Sequence, residues 1–151
     1  MENLERIIAE CPFFADLDKA YMDLVVGCAS NVRFDSGAYI FREGTPADTF
    51  YLIREGKVNV EALVPHRKPH VVVTVGEGEI LGWSWLLPPY TWRFNGRAVH
   101  NTRAIALDGK CLRNKCEQNH DLGYEILKRL VGIIEHRLDE ARLQLIDIYA
   151  A

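Results

Sequence analysis

Ile40-Phe41-Arg42-Glu43-Gly44-Thr45-Pro46-Ala47-Asp48-Thr49-Phe50-Tyr51-Leu52-Ile53-Arg54-Glu55-Gly56-Lys57-Val58 is the stretch whose pattern decides the fold. Within it Phe50 and Leu52 alternate with Tyr51 and Ile53, the period of two that gives a strand two distinct faces. Glu43-Gly44 and Glu55-Gly56 punctuate the runs, and glycine there supplies the positive φ of a tight turn without a Cβ penalty. The sequence therefore predicts short strands leaving through tight turns, with no helix between them.

The same pattern continues on both sides. Between Val32 and Asp108 the β-prone runs are 39–41, 50–54, 58–64, 71–75 and 103–107, separated by Asp35-Ser36-Gly37, the Pro65 to Pro69 loop and Gly76-Glu77-Gly78. Many short strands at regular spacing argue for an antiparallel sandwich, roll or barrel.

Helical signals flank this region. Leu4, Ile7 and Ile8 share one helical face, and Asp16 is placed to cap a second helix carrying Leu17, Tyr21, Leu24, Val25 and Cys28. Toward the C-terminus, Tyr124, Leu127, Val131, Ile134, Leu138, Ala141, Leu145 and Ile148 alternate three-residue and four-residue steps, a heptad seam that predicts self-association. A second stripe, Leu122, Ile126, Leu130 and Ile133, is placed to pack on the roll. The expected fold class is mainly β with flanking helices: an antiparallel β-roll or jelly roll followed by a long C-terminal helix. One domain over 1–151 is expected, with N-terminal helices over 3–29, the roll over 31–108 and C-terminal helices over 109–149.

Composition narrows the function classes. The 151 residues are 48% hydrophobic, enough for one full core. A formal charge of −3 lacks the positive field that non-specific nucleic-acid binding draws on. The N-terminus is acidic where a secretory signal is basic, and no run of about 18 apolar residues occurs. A cytoplasmic protein with no membrane partner is expected. Cys11, Cys28, Cys111 and Cys116 form no CxxC pair, so free thiols are expected rather than a zinc or redox site.

Three stretches together resemble the cyclic nucleotide-binding domain family, the sensor module of Crp/Fnr-type regulators, cyclic-nucleotide kinases and channels, over essentially the whole chain. The first is the 40–58 run, with its EG turn, Ala-Asp loop and YLI strand. The second is Gly78-Glu79-Ile80-Leu81-Gly82-Trp83-Ser84-Trp85-Leu86-Leu87, which stands where the family has its phosphate-binding cassette. The third is 103–112, where a last strand runs into a helix that Asp108 is placed to cap. The resemblance implies the roll fold and a non-catalytic sensor role.

It does not carry over ordinary cAMP or cGMP binding. The residue after the cassette glycine is typically a glutamate for the ribose hydroxyl, and here it is Trp83; the phosphate-pairing arginine falls at Trp92 or Arg93. Losing one charged hydrogen-bond partner costs about 1.5–3 kcal/mol, which is one to two orders of magnitude in affinity. The expected function is a regulatory domain that binds a small ligand, a nucleotide among the candidates, and signals through the dimerising C-terminal helix; the alternatives are a ligand-free protein-interaction module or a conventional cAMP-binding regulatory protein. The candidate pocket residues are Gly82, Trp83, Ser84, Trp85, Leu86, Trp92, Arg93 and Arg97, with Tyr90 as a further wall. The aromatics among them either line a pocket for a cyclic nucleotide or other small anionic ligand, or fill the space a nucleotide would have taken. No cofactor is assigned. The partners expected are a second copy through Leu127, Val131, Ile134, Leu138, Ala141 and Leu145, and a small ligand or a regulatory protein.

Catalysis has little support in the residues. No HxH pair marks a cupin metal site, His66, His70, His100, His120 and His136 are scattered, and Ser84 lies in no GxSxG elbow. The sequence ends at Tyr149-Ala150-Ala151 without a helix-turn-helix pattern, so direct DNA binding is not expected. Lys128, Arg129, Arg137 and Arg142, interspersed with Glu125, Glu135, Asp139 and Glu140, suit a solvated helix beside a seam.

Overall fold

The computed structural model describes residues 3–150. It divides into two compact units, one running to Lys115 and one starting at Cys116. The first opens with helices α1 (Leu4–Glu10) and α2 (Lys19–Val26), joined through a 3-10 turn at Pro12–Phe14. Eight strands follow: β1 (Ala29–Phe34), β2 (Tyr39–Phe41), β3 (Thr49–Glu55), β4 (Val58–Ala62), β5 (His70–Val75), β6 (Ile80–Leu81), β7 (Asn95–Ala98) and β8 (Thr102–Asp108). They form two antiparallel four-stranded sheets, ordered β1-β8-β3-β6 and β2-β7-β4-β5. Helix α3 (Gly109–Gln118) continues directly from β8.

Both faces of β3 are covered, which is why both parities of its sequence are apolar. Ile53 and Tyr51 belong to the core between the sheets, with Phe41, Ala47, Val58, Val60, Val75, Leu81, Trp92 and Ala104. Phe50, on the opposite parity, meets Phe13, Phe14 and Trp85, so a second aromatic core lies beneath the N-terminal helical segment.

Gly56 turns β3 into β4 at φ +104°, and a Cβ there would lie 2.7 Å from the Asn101 carbonyl oxygen and 2.9 Å from Thr102 Cα. Neither backbone atom can move aside cheaply. Gly56→Ala is therefore expected to lower stability by roughly 1–3 kcal/mol, read as a lower urea midpoint at unchanged slope.

Several sequence expectations need correction. Asp16 adopts a positive φ in a turn and does not cap α2; Asp18 does, accepting from the Ala20 amide at 3.1 Å. The helical start ends at Val26, and β1 already begins at Ala29, so Cys28 lies outside the helix. The run 58–64 stops pairing at Ala62. Asp108 caps α3 as expected, accepting from the Cys111 amide at 3.0 Å.

The expectation of four free thiols is overturned: Cys28 and Cys111 are disulfide-paired with Cα atoms 5.8 Å apart, and only Cys11 and Cys116 are free. A sequence separation of 83 between the paired cysteines hid this in the sequence. β8 returns antiparallel to β1 with Leu107 opposite Ala29, which delivers residues just outside that pair to the same place.

The second unit is essentially helix α4 (His120–Ala150), 31 residues long. Asn119 caps it, its side chain accepting from the Leu122 amide at 3.2 Å. Leu122, Ile126 and Leu130 are buried. The seam residues Tyr124, Leu127, Val131, Ile134, Leu138, Leu145 and Ile148 are all exposed, as are Leu143 and Ile146 off the seam. Among the described residues no helix is long and apolar enough to cross a membrane.

Candidate functional site

The segment from Gly82 to Arg93 leaves β6 and returns beside the loop that follows β2. Gly82 takes φ +91°, and a Cβ there would come within 2.5 Å of the Trp92 ring. The chain turns at Trp83, with the Leu86 amide donating to the Trp83 carbonyl at 3.2 Å, and reverses again where the Tyr90 amide donates to the Leu87 carbonyl. The return is fixed by backbone bonds: Ala47 N–H to the Tyr90 carbonyl at 2.7 Å, Trp92 N–H to the Thr45 carbonyl at 3.0 Å, and Gly44 N–H to the Trp92 carbonyl at 2.8 Å.

That ladder places the Trp92 indole inside the roll. It stacks on Phe41 with ring centroids 3.8 Å apart and planes 12° apart, and it is only 6% exposed. Phe41 in turn lies against Gly96, where a Cβ would come within 2.6 Å of its ring. Two glycines thus bracket two stacked aromatic rings. The surrounding core is apolar, and burial pushes the Tyr51 phenol up, against a smaller opposing effect of its hydrogen bond with Thr49.

Trp85 goes elsewhere. It is fully buried, stacks on Phe50 at 5.4 Å and belongs to the aromatic core under the N-terminal segment, with no hydrogen-bond partner for its indole N–H among the described residues. The expected constellation is therefore split: Gly82 and Trp92 meet, while Trp85 turns away from them. Trp83, Ser84 and Leu86 are half-buried in the turn.

The two arginines do not join Trp92 in the roll. Arg93 is exposed. Arg97 lies opposite Asn59 in the β4–β7 ladder, between the buried Gly96 and Ala98, so it points to the other face of the sheet. Its Nε is 3.4 Å from Oε1 of Glu61, a carboxylate only 4% exposed.

Three contributors were not foreseen. Phe41 was read only as strand, although a glycine inside a strand, here Gly96, marks a close approach. Arg113 of α3 donates from Nη1 to the Trp85 carbonyl and lays its guanidinium 4.0 Å over the Tyr90 ring, a link across more than twenty residues that no local pattern announces. Gly109 donates to the Asp48 carbonyl at 2.8 Å, seating the start of α3 against the loop before β3. Among the described residues no group of three His, Cys, Asp or Glu side chains is placed to hold a metal ion.

Comparison with known proteins identifies the architecture. The cyclic nucleotide-binding domain family model matches residues 31–119. A CRP-like cAMP-activated global transcriptional regulator of Mycobacterium tuberculosis is 22% identical over 96% of this chain and 63% of its own length. The mouse cGMP-dependent protein kinase 2 is 27% identical over 93% of this chain and 18% of its own length, so the chain spans less than two thirds of either relative. A Geobacter metallireducens crystal structure superposes with a TM-score of 0.80 at 28% identity, covering 91% of this chain and 99% of that one. The sensor domain of the transcriptional regulator DNR from Pseudomonas aeruginosa shares the fold, with a TM-score of 0.71 at 21% identity over 92% of this chain and 96% of that domain. With its two antiparallel sheets and the helices that follow β8, this chain belongs to the cyclic nucleotide-binding domain family.

Proposed function

We propose that this chain is a non-catalytic regulatory domain whose nucleotide position is filled by its own Trp92, and that it works as a homodimer through the α4 seam. The observation that carries the first part is the Trp92–Phe41 stack between Gly82 and Gly96. The residues present do not fit a cyclic nucleotide in the family's manner: Trp83 replaces the carboxylate, an indole occupies the interior, and Arg97 is committed to Glu61 on the opposite face. The second part is supported by a row of large exposed apolar residues at heptad spacing on α4. An output through a partner protein completes the reading.

Isothermal titration with cAMP and cGMP tests it. No saturable heat is expected up to millimolar nucleotide, since two missing charged contacts together remove about two to four orders of magnitude in affinity. Saturable micromolar binding that disappears in Arg93→Ala or Arg97→Ala would overturn the reading and restore a conventional nucleotide sensor.

Arg113 favours a second reading, a sensor for a different small ligand. Because it ties the Trp85–Tyr90 turn to α3, a ligand that displaced this turn would also disturb the start of the C-terminal helices. Such coupling requires the ligand to bind one arrangement more tightly than the other. A thermal-shift screen of small anionic and aromatic compounds would separate the two, since only the sensor predicts a hit whose stabilisation depends on Arg113.

A further inference from the structure

The disulfide between Cys28 and Cys111 joins the residue preceding β1 to the first turn of α3. The junction is also held without it. Lys115 Nζ donates to the Leu24 carbonyl at 2.7 Å, filling an open acceptor at the end of α2, and the Asp108 amide donates to the Cys28 carbonyl at 2.9 Å. These bonds tie the same two segments together independently of the sulfur bridge, which favours its closing again without refolding.

Access to the two sulfurs is unequal. Cys28 is buried, at 7% exposure, whereas Cys111 is half-buried on the first turn of α3, with Lys110 beside it in sequence. The less buried Cys111 is therefore the better point of entry for an incoming thiolate. The other thiols are poor competitors. Cys11 is buried, donates to the Gly78 carbonyl at 3.3 Å and has its thiol pushed up by burial. Cys116 is pushed up to about 11, by burial first and the nearby Glu117 charge second. Since the thiolate is the reactive form, only about one Cys116 in a thousand is reactive at about pH 8.

We propose that Cys28–Cys111 is a thiol–disulfide exchange site that takes a low-molecular-weight thiol at Cys111, and that its opening and closing loosens and fixes the α2–α3 junction. In the opening step a thiolate of the glutathione class attacks the Cys111 sulfur, forming a mixed disulfide and releasing Cys28 as a thiolate that takes up a proton. A second thiol of the same class attacks the mixed disulfide, releasing Cys111. The protein disulfide is reduced by two electrons, and two small thiols are oxidised to one small disulfide. Closing is the reverse, with oxidised glutathione as the acceptor.

The 151-residue chain equilibrated in glutathione buffers of graded reduced-to-oxidised ratio tests this, with acid quenching, alkylation under denaturing conditions and intact mass. Two alkylated cysteines are expected at the oxidised end and four at the reduced end, with a reversible transition between them. Reduction is expected to lower the melting temperature by roughly 4–16 °C and to speed hydrogen exchange at the last turn of α2 and first turn of α3. Cys28→Ser, in which Cys111 cannot be resolved internally, is expected to gain one glutathione by mass in oxidised buffer, and Cys111→Ser to gain far less because Cys28 is buried.

Four alkylated cysteines throughout would show that the bond does not form. Two throughout, even in excess reduced glutathione, would make it a permanent staple. Either result overturns the proposal, as would an exchange profile at the α2–α3 junction that is indifferent to reduction.

Discussion

Trp92→Ala is expected to destabilise the protein by about 3–5 kcal/mol, and added indole is expected to return part of that loss. The ring is 6% exposed, is sandwiched between Phe41 and Gly82, and contributes to a core whose buried members are all apolar, with Tyr51 at its partly buried edge. Removing it leaves a gap that the flanking glycines cannot fill, because neither has a side chain to lean inward. An apolar gap of this kind stays dry and accepts an apolar guest. Chemical denaturation of the variant, with and without indole, checks both halves. A loss below about 1 kcal/mol, well short of that expected for a core tryptophan, would mean the indole does not support the roll. A full loss with no response to indole would mean that the roll collapses onto the vacated space, and the idea of a preserved ligand-shaped interior closed by Trp92 would fail.

The contrast between Trp92 and Trp85 shows where sequence reasoning stopped. The 83–92 run reads as one aromatic cluster because its members are close along the chain. Two reversals, at Trp83–Leu86 and at Leu87–Tyr90, instead send Trp85 to the Phe13, Phe14 and Phe50 core and Trp92 to the core between the sheets. Turn chemistry predicts that a chain reverses, but not which of two cores each flanking ring enters. Strand β3 was legible because its alternation and glycine turns are local. Strands β6 and β7 were not: β6 has two residues, and β7 contains the glycine and asparagine that ordinarily weaken a strand. The Cys28–Cys111 pair and the Arg113 contacts depend on the return of β8 to β1 and on α3 following it. Such closures become visible only when the topology is known.

Helix α4 is the opposite case, since its helical period and its exposed apolar row follow from local spacing alone, and it carries the prediction with the most complete expected outcome. Ile134→Glu is expected to convert a dimer into a monomer at micromolar protein. Tyr124 to Ile148 spans 24 residue steps, about 36 Å of helix, and the large apolar side chains along it are 36–70% exposed in the isolated chain. Burying a Val, Leu or Ile fully contributes about 1.5–3 kcal/mol, so several on each helix can exceed the roughly 4–15 kcal/mol that association costs. Ile134 is near the middle of the row. In a symmetric pair a glutamate there enters twice, replacing two apolar contacts with two like charges that must be desolvated together. A weakening of at least about 100-fold follows from a loss of only about 2.7 kcal/mol. Leu143→Glu is the control: Leu143 is 60% exposed and apolar, but it stands about 200° around the helix from both Ala141 and Leu145. Light scattering should therefore report a halved mass for Ile134→Glu and an unchanged one for Leu143→Glu. If Leu143→Glu dissociated the protein and Ile134→Glu did not, the interface would lie on the other face of α4. A wild-type protein that is already monomeric at these concentrations would remove the homodimer from the proposed function altogether.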